Sequence, residues 1–374
     1  MIEIVRYQAD LIPGVQAFNS RLREAGVDVA FGVRTLLRET NVVPARLPGS
    51  GLFEEPFLAV EGDVVRGGYV LAHQDFRLNG EVTSVGLFRH PLSEGTVDRR
   101  YALVGPRLLR DALGRQPLLH GVGIGGYEVV AARLLETAGF SVVSVPFYYR
   151  IEHASRVLRE VRILRASPLR RLASDVGAAT GIGALAFGLA QRTRTSRNKP
   201  DLRSSARVFR SFGAWADDVW RASLNEIDFG AVRDHVVLAQ LYDAPGNRFL
   251  KVVIEGREGP CGWAICLATQ GQNHSTFGDL RVGSIVDCLV RPGYESALID
   301  AAVERLRQED VDLIATNQSL NTLGRALRGA GFLTGPSNFL LAASPRLADC
   351  LPSLQRDIGR MHMNRGAGHT AANL

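Results

Sequence analysis

The stretch "HGVGIGGYEVVAARLLETAGF", residues 120–140, decides the fold class. Glycines at 121, 123 and 126 spell G-x-G-x-x-G between an apolar run and a helix-like segment, which is the order of a dinucleotide-binding turn. Such a turn needs a carboxylate about twenty residues after its first glycine, and the following "FSVVSVPFYY" contains none. Several strand-like segments also precede the turn. The stretch therefore predicts a glycine-rich junction from strand to helix that serves another purpose.

A Gly-Phe pair ends this stretch, at Gly139 and Phe140, and the same pair returns at Gly331 and Phe332. Glycine can take the left-handed conformation that closes a helix, and the next residue can pack back onto it. The spacing of 192 residues (331 minus 139) also aligns Arg133 with Arg325, Leu135 with Leu327, Ala138 with Ala330 and Phe147 with Phe339. The repeated pattern predicts that one ancestral unit was duplicated.

Two segments of the chain share one order of predicted elements. In the first they are strand 2–6, a helix, strands 57–61, 64–73 and 81–88, helix 99–113, the glycine-rich junction, a helix ending at Gly139 and a β-rich stretch. In the second they are strands 250–255, 262–269 and 283–290, helix 295–308, a strand, helix 320–330 and a closing strand. This alternation predicts an α/β (α+β) fold in each half.

Two globular domains fit the length and composition. The chain has 374 residues, of which 46% are hydrophobic and 22% charged. The predicted domains are 1–151 and 217–346, joined by a basic helical insert, 152–216, and followed by a C-terminal helix and polar tail, 347–374. The opening "MIEIVRYQAD" lacks the pattern of a secretory signal. The four cysteines form no C-x-x-C pair, so we expect reduced core residues in a cytoplasmic protein.

The net charge of +6 is concentrated in residues 156–210, where 13 basic residues accompany three acidic ones. Within them the Gly/Ala-rich stretch 172–190 is too short and too weakly apolar to predict a transmembrane helix. Three interpretations stay open: a helical hairpin packed on the domains, a peripheral contact with anionic lipid at the inner membrane face, or a docking site for an acidic acyl carrier protein. We expect no nucleic acid partner from the arginine bias. The polar tail is expected to be frayed, and His362 and His369 are too isolated to predict a metal site.

Four fragments carry a resemblance to a known family: "HPLSEGTVDRRY", "GVGIGGYEVVAARLLETAGFSVVSVPFYYRI", "FGAVRDHVVLAQLYDAPGNRFLKVVI" and "NQSLNTLGRALRGAGFLTGPSNFLLAAS". The chain resembles the GNAT (N-acetyltransferase) superfamily taken in tandem, over residues 1–150 and 217–345. It is most similar to the duplicated GNAT-like proteins of bacterial exopolysaccharide and envelope gene clusters. The resemblance implies, in each half, a mixed and mostly antiparallel twisted sheet flanked by helices. It also implies acetyl-CoA or another acyl-CoA as donor substrate, with no metal.

In the superfamily, a turn of the type R/Q-x-x-G-x-G/A binds the pyrophosphate of acyl-CoA on N–H groups at a helix N-terminus. This chain has "HPLSEGTVDRR" and "VRPGYESA" there, and neither fits the motif. Glu94 and Glu295 would repel a pyrophosphate, and two ordinarily capped helices are the alternative. In the second copy the resemblance still implies donor binding by Leu289, Val290, Gly293, Tyr294 and Ser296.

Two further features bear on catalysis, and the second of them distinguishes the copies. The tyrosine that often protonates the departing thiolate in the superfamily is replaced by Leu135 and Leu327. The second copy keeps Asn317 and Asn321, whose amides the resemblance places beside the pantetheine arm. We therefore expect the second copy to be catalytic and the first to be degenerate.

Acyl transfer to an amine needs a base that deprotonates the nucleophile. Asp287 lies in the apolar strand "GSIVDCLV", so burial is expected to raise its pKa; a paired, structural aspartate is the alternative. His274 is a second candidate base on a loop. Arg233 and His235 would bind an anionic acceptor or pair with Asp234. A buried thiol is the simpler interpretation of Cys288 than a nucleophile.

The sequence thus predicts a GNAT-type N-acyltransferase. It would move an acyl group from a thioester donor, acyl-CoA or acyl carrier protein, to a small-molecule amine or hydroxyl such as a sugar or amino acid in envelope synthesis. The alternative is a catalytically inactive GNAT-fold scaffold or binding module in an envelope-synthesis assembly. An open gap between the fourth and fifth strands of the second copy would distinguish them.

Overall fold

The computed structural model describes residues 1–27, 37, 51–160, 204–244, 246–272, 278–351, 354, 356 and 358–368. The predicted base His274, most of the basic segment 156–210 and the tail from residue 369 lie outside the described residues. The strands, in chain order, are β1 Ile2–Arg6, β2 Phe53–Glu61, β3 Val64–Leu78, β4 Glu81–Ser93, β5 Leu119–Val122, β6 Ser141–Ser144, β7 Phe147–Ile151, β8 Ser205–Val208, β9 Phe229–Ala231, β10 Leu250–Gly256, β11 Gly259–Gln270, β12 Arg281–Val290, β13 Leu313–Asn317, β14 Leu333–Gly335, β15 Leu340–Ala343 and β16 Met361–His362. The helices are α1 Ile12–Glu24, α2 Val104–Arg115, α3 Val130–Thr137, α4 Ala154–Glu160, α5 Trp215–Ser223, α6 His235–Tyr242, α7 Glu295–Arg307, α8 Asn321–Gly329 and α9 Pro345–Asp349.

The chain divides into two compact units. Unit 1 contains Met1–Ser144 and Asn338–Asp357, and unit 2 contains Val145–Ser337 and the described residues from Ile358 on. Each unit therefore includes one segment from near the C-terminal end of the chain.

The sheet of unit 1 has the strand order β1-β2-β3-β4-β5-β15-β6. Neighbouring strands are antiparallel except β4 and β5, which run parallel. α2 and α3 follow the two parallel strands and bury Leu108, Leu109 and Leu135 against the sheet. On α1, Val15, Phe18 and Leu22 recur at helical spacing and form a separate buried cluster with Leu58 and Val65.

The sheet of unit 2 has the order β14-β7-β13-β12-β11-β10-β8. Only β12 and β13 are parallel within it. β9 and β16, which are not part of this sheet, pair in parallel with each other. Burial on both faces explains why "GSIVDCLV" is almost continuously apolar. The mixed, mostly antiparallel sheets flanked by helices confirm the predicted fold class.

Both Gly-Phe pairs end their helices as predicted. Gly139 and Gly331 have φ values of 84° and 85°, and Phe140 and Phe332 are buried. The four cysteines are free, and Cys350 alone among them is not fully buried. Among the described residues, no helix is both long and apolar enough to cross a bilayer; the stretch 172–190 lies outside them.

Candidate functional site

Each sheet opens between its two parallel strands. In unit 2, β12 and β13 pair only where Val282–Ser284 face Leu313–Ala315, and the rest of β12 continues without this partner. The register of β12 against β11 also shifts, because Ile265 faces Asp287 while Cys266 faces Ile285. A bulge of this kind bends a strand and interrupts its pairing. We call the opening beyond Ser284 the second cleft.

The same opening occurs in unit 1. β4 and β5 pair at Gly86–Leu87 with Leu119–His120 and then part. The register of β4 against β3 shifts at His90, whose φ of 49° is in the left-handed region. Such strained positions persist where the surroundings hold them and are common at functional sites. We call the opening beyond Leu87 the first cleft.

In the second cleft, side chains of this protein occupy the backbone acceptors of β12. Thr316 Oγ1 donates to Ile285 O over 2.7 Å. His362 Nε2 lies 2.9 Å from Cys288 O, and Ser223 Oγ donates to Val290 O over 3.0 Å. A ligand arm that pairs with this strand would have to displace these groups.

The C-terminal segment 358–368 lies in the second cleft. On the side of β13, the backbone N–H of Ser319 donates to Met363 O over 3.1 Å, and the backbone N–H of Asn321 donates to Gly359 O over 2.9 Å. The stretch Met361–Asn364 is buried. The prediction of a frayed polar tail was therefore wrong for this part, because "MHMN" alternates two apolar side chains with two that find buried polar partners.

Asp287 is the centre of a buried polar cluster. Its Oδ2 accepts hydrogen bonds from Arg233 Nε and from Tyr242 OH, each over 2.8 Å. Its Oδ1 accepts one from Asn364 Nδ2 over 2.8 Å, and His362 Nε2 lies 3.8 Å away. The side chains of Arg233 and Asp287 are 0% exposed.

The expectation of a raised pKa at Asp287 was wrong. Burial alone would raise the pKa, but the positive charge of Arg233 and the hydrogen bonds from Tyr242 and Asn364 lower it below the ordinary value. Burial also lowers the pKa of His362, although Asp287 opposes that shift. A carboxylate whose pKa is lowered and whose two oxygens already accept hydrogen bonds is a poor proton acceptor, and its contacts are those of an ion-paired structural group.

At the first cleft the end of β4 is partly exposed to solvent, unlike the end of β12 at the second cleft. Arg89, His90, Leu92 and Ser93 are half-buried and Pro91 is exposed, whereas Asp287–Val290 at the matching end of β12 are all buried. The first cleft is therefore the more accessible of the two.

Glu94 at the first cleft is neutralised by two arginines. Arg21 Nε lies 2.9 Å from its Oε1, and Arg66 Nη1 lies 3.0 Å from its Oε2. Burial would raise the pKa of Glu94, but these two partners lower it. The predicted repulsion of a ligand phosphate by Glu94 is thereby offset.

Three solved structures are similar to this chain. A conserved protein of unknown function from Enterococcus faecalis, described as a probable N-acyltransferase, matches 93% of this chain and 73% of its own at 9% identity and TM-score 0.50. A GCN5-related N-acetyltransferase from Anabaena variabilis matches 91% and 72% at 10% identity and TM-score 0.52. Saccharomyces cerevisiae N-myristoyltransferase with bound myristoyl-CoA matches 91% and 78% at 10% identity and TM-score 0.51. The chain has the GNAT fold. No family model matches its sequence, and no curated protein does.

In the turn between β12 and α7, two backbone N–H groups already have acceptors within the protein. Gly293 has a φ of 91° and its N–H donates over 2.9 Å to Glu295 Oε2, so the protein's own carboxylate takes this donor. Tyr294 N–H bonds Arg291 O over 3.2 Å. Ser296 is half-buried on the first turn of α7. The Glu295 carboxylate therefore occupies an N–H donor of this turn.

Of the two predicted asparagines in unit 2, Asn317 already has side-chain partners. Asn317 is buried, donates to Ser337 Oγ over 3.2 Å and accepts from Arg365 Nε over 3.2 Å. Asn321 is exposed at the start of α8. Leu289 and Val290 are buried at the end of β12 and line a space of only about 10 Å³. A larger cavity of about 270 Å³ lies between α7 and α8, and Glu295 and Thr322 border both.

The remaining candidates are ion pairs or inert groups. His235 Nδ1 lies 2.9 Å from Asp217 Oδ2 rather than pairing with Asp234, which caps α6 through Val237 N–H. Arg233 belongs to the Asp287 cluster. Burial raises the pKa of the Cys288 thiol well above its usual value, which fits a buried thiol of the core.

His120, at the root of the first cleft, gives a pH-dependence prediction. Its Nδ1 lies 2.8 Å from Gly86 O, and burial lowers its pKa to about 4 although that hydrogen bond opposes the shift. The unfolded chain takes up this proton below about pH 6.5, so acid favours unfolding. Between pH 6 and 4.5, His120→Gln should reduce the slope of unfolding free energy by up to about 1.4 kcal/mol per pH unit. Urea unfolding across that range measures it, and an unchanged slope would contradict the assignment.

Proposed function

We propose that the chain transfers an acyl group from a thioester donor to an amine or hydroxyl acceptor, and that the donor's arm binds in the first cleft. The observation that carries the proposal is the contrast at the two parting strands: the β4 end is half-exposed, while the β12 end is buried and bonded to the C-terminal segment. The charge of Glu94 at the first cleft is neutralised by Arg21 and Arg66, whereas Glu295 accepts a hydrogen bond from an N–H of the turn after β12. This difference also favours the first cleft as the donor site.

The reaction forms a bond from the acceptor nitrogen or oxygen to the carbonyl carbon and breaks the carbon–sulfur bond. The proton lost by the nucleophile ends on the departing thiolate. Backbone N–H groups of a strand that has lost its neighbour can polarise the thioester carbonyl. Because Leu135 and Leu327 are buried leucines, neither supplies the proton.

The acceptor to test first is a sugar or an amino acid of envelope synthesis, from the resemblance of the sequence. The alternative function, a binding module without catalysis, is favoured by one observation. The second cleft is filled by residues 358–368, and those residues belong to the folded core of unit 2.

A matched pair of substitutions tests which cleft holds the donor. Gly105 and Ser296 are both the second residue of the helix that follows the parting strand. A Cβ at Gly105 would lie 3.9 Å from Ser93 and from Leu134, so an alanine fits there. The larger side chain of phenylalanine would fill the space beside Ser93 at the first cleft. We expect Gly105→Phe to weaken binding of acyl-CoA or acyl carrier protein at least tenfold, and Gly105→Ala to leave it unchanged.

Calorimetry and product mass spectrometry provide the readouts. Loss of binding in Ser296→Phe but not in Gly105→Phe would move the donor site to the second cleft. If wild type binds no thioester donor of either kind, the enzyme proposal fails and the binding-module alternative stands.

A further inference from the structure

Large apolar side chains are exposed beside the first cleft. Leu103 is 67% exposed and Val130 is 79% exposed, and Val97, Tyr127 and Val129 are exposed as well. Single exposed apolar residues are ordinary, but a group of them at one place marks a surface that contacts another molecule.

These residues lie on neighbouring helix starts. A Cβ at Gly105 would lie 3.9 Å from Leu134, so the beginning of α2 packs beside α3. Leu103 immediately precedes α2, and Val130 lies one helical turn before Leu134 on the same side of α3. Leu103 and Val130 therefore belong to one surface, which we call the α2–α3 face.

The α2–α3 face also carries uncompensated positive charge. Arg107 and Arg110 follow Leu103 at helical spacing and are exposed, and exposed Arg99 precedes it by four residues. Within the described part of the chain, these three arginines make no ion pair. Nearby Arg100, Arg115 and Arg133 do pair, with Asp98, Asp111 and Glu128.

The turn at the first cleft offers few N–H groups to a free phosphate. Gly95 N–H bonds Ser93 Oγ over 3.0 Å, and Arg100 N–H bonds Asp98 Oδ1 over 2.9 Å. The N–H groups of Val97 and Asp98 bond Glu94 O. A donor held mainly through a pyrophosphate would lack these contacts, so its recognition must lie elsewhere.

We infer that the α2–α3 face docks an acidic carrier protein, which delivers the acyl group to the first cleft on a thioester-linked arm. This inference rests on the proposed function. Positive charge steers an acidic partner to the face and sets its orientation. The exposed apolar side chains would form the water-excluding core of the interface with the carrier protein.

The test compares two donors that carry the same acyl group, an acyl carrier protein of fatty-acid synthesis and coenzyme A. In the double variant Arg107→Glu/Arg110→Glu, kcat/KM with the carrier protein should fall at least tenfold. The dependence of this kcat/KM on salt concentration should also weaken. Transfer from acyl-CoA should change less than twofold. Arg221→Glu, an exposed charge reversal on α5 in unit 2, is the control and should affect neither donor.

The following outcomes would overturn the inference. Equal losses with both donors, or none with either, would show that the face does not select the carrier. Flotation of wild type with anionic vesicles, abolished by the double variant without a change in carrier kinetics, would assign the face to a membrane. Transfer from acyl-CoA with no preference for the carrier would leave the proposed function standing, whereas no transfer from any thioester would end both.

Discussion

Asp287→Ala is expected to lower the free energy of unfolding by about 3–5 kcal/mol. The substitution leaves the Arg233 guanidinium at 0% exposure without its counter-charge, 2.8 Å from the vacated carboxylate position. Tyr242 OH and Asn364 Nδ2 lose their acceptor in the same step. An uncompensated buried charge costs far more than the pair contributes, because its hydration is not replaced.

Urea unfolding followed by circular dichroism measures this loss. Asp218→Ala is the matched control, since its pairing with Arg221 is exposed on both sides and should be worth less than about 1 kcal/mol. The double variant Arg233→Met/Asp287→Leu removes both charges, so it should recover part of the loss. A loss below about 1 kcal/mol for Asp287→Ala would show that the cluster is open to water.

The fold was predictable because local patterns specify its elements. The Gly-Phe pairs mark helix ends, and their left-handed glycines in the structure confirm it. The apolar run around Asp287 predicts a buried strand, and β12 is buried on both faces. Alternation and capping act within a few residues, so a single sequence displays them.

Strand partners were not predictable in the same way. β7 follows β6 directly in sequence but pairs with β13 and β14, and β15 follows β14 but pairs with β5 and β6. The pattern of a strand specifies which face is buried, and it does not specify which edge the strand joins.

The candidate site was predicted least well, because long-range partners decide its chemistry. Asp287 was correctly singled out as a carboxylate in an apolar strand. Its pKa depends on Arg233, 54 positions away, and on Asn364, 77 positions away. Nothing near Asp287 in sequence indicates either partner. The sequence therefore could not decide between a base and a paired, structural aspartate, and the structure shows the pair with Arg233. The roles predicted for His274 and for the donor-binding residues stay predictions.

Gly366→Ala is expected to destabilise the protein by about 2–3 kcal/mol. A Cβ on Gly366 would lie 2.5 Å from both Asp287 Oδ2 and Tyr242 OH, closer than atoms can approach. Neither group can move away freely, because Asp287 is bonded to Arg233 and Tyr242 donates to Asp287. The C-terminal segment must therefore shift out of the second cleft.

Gly329→Ala is the control, since nothing lies within 4 Å of its added Cβ at the end of α8 and alanine favours a helix. Its stability should equal or slightly exceed that of wild type. Hydrogen exchange distinguishes local from general damage: in Gly366→Ala the amide of Met363, which donates to Ser319 Oγ over 2.8 Å, should lose protection first. If Gly366→Ala is as stable as wild type and Met363 stays protected, residues 358–368 do not seal the second cleft. The donor site would then have to be sought there as well as in the first.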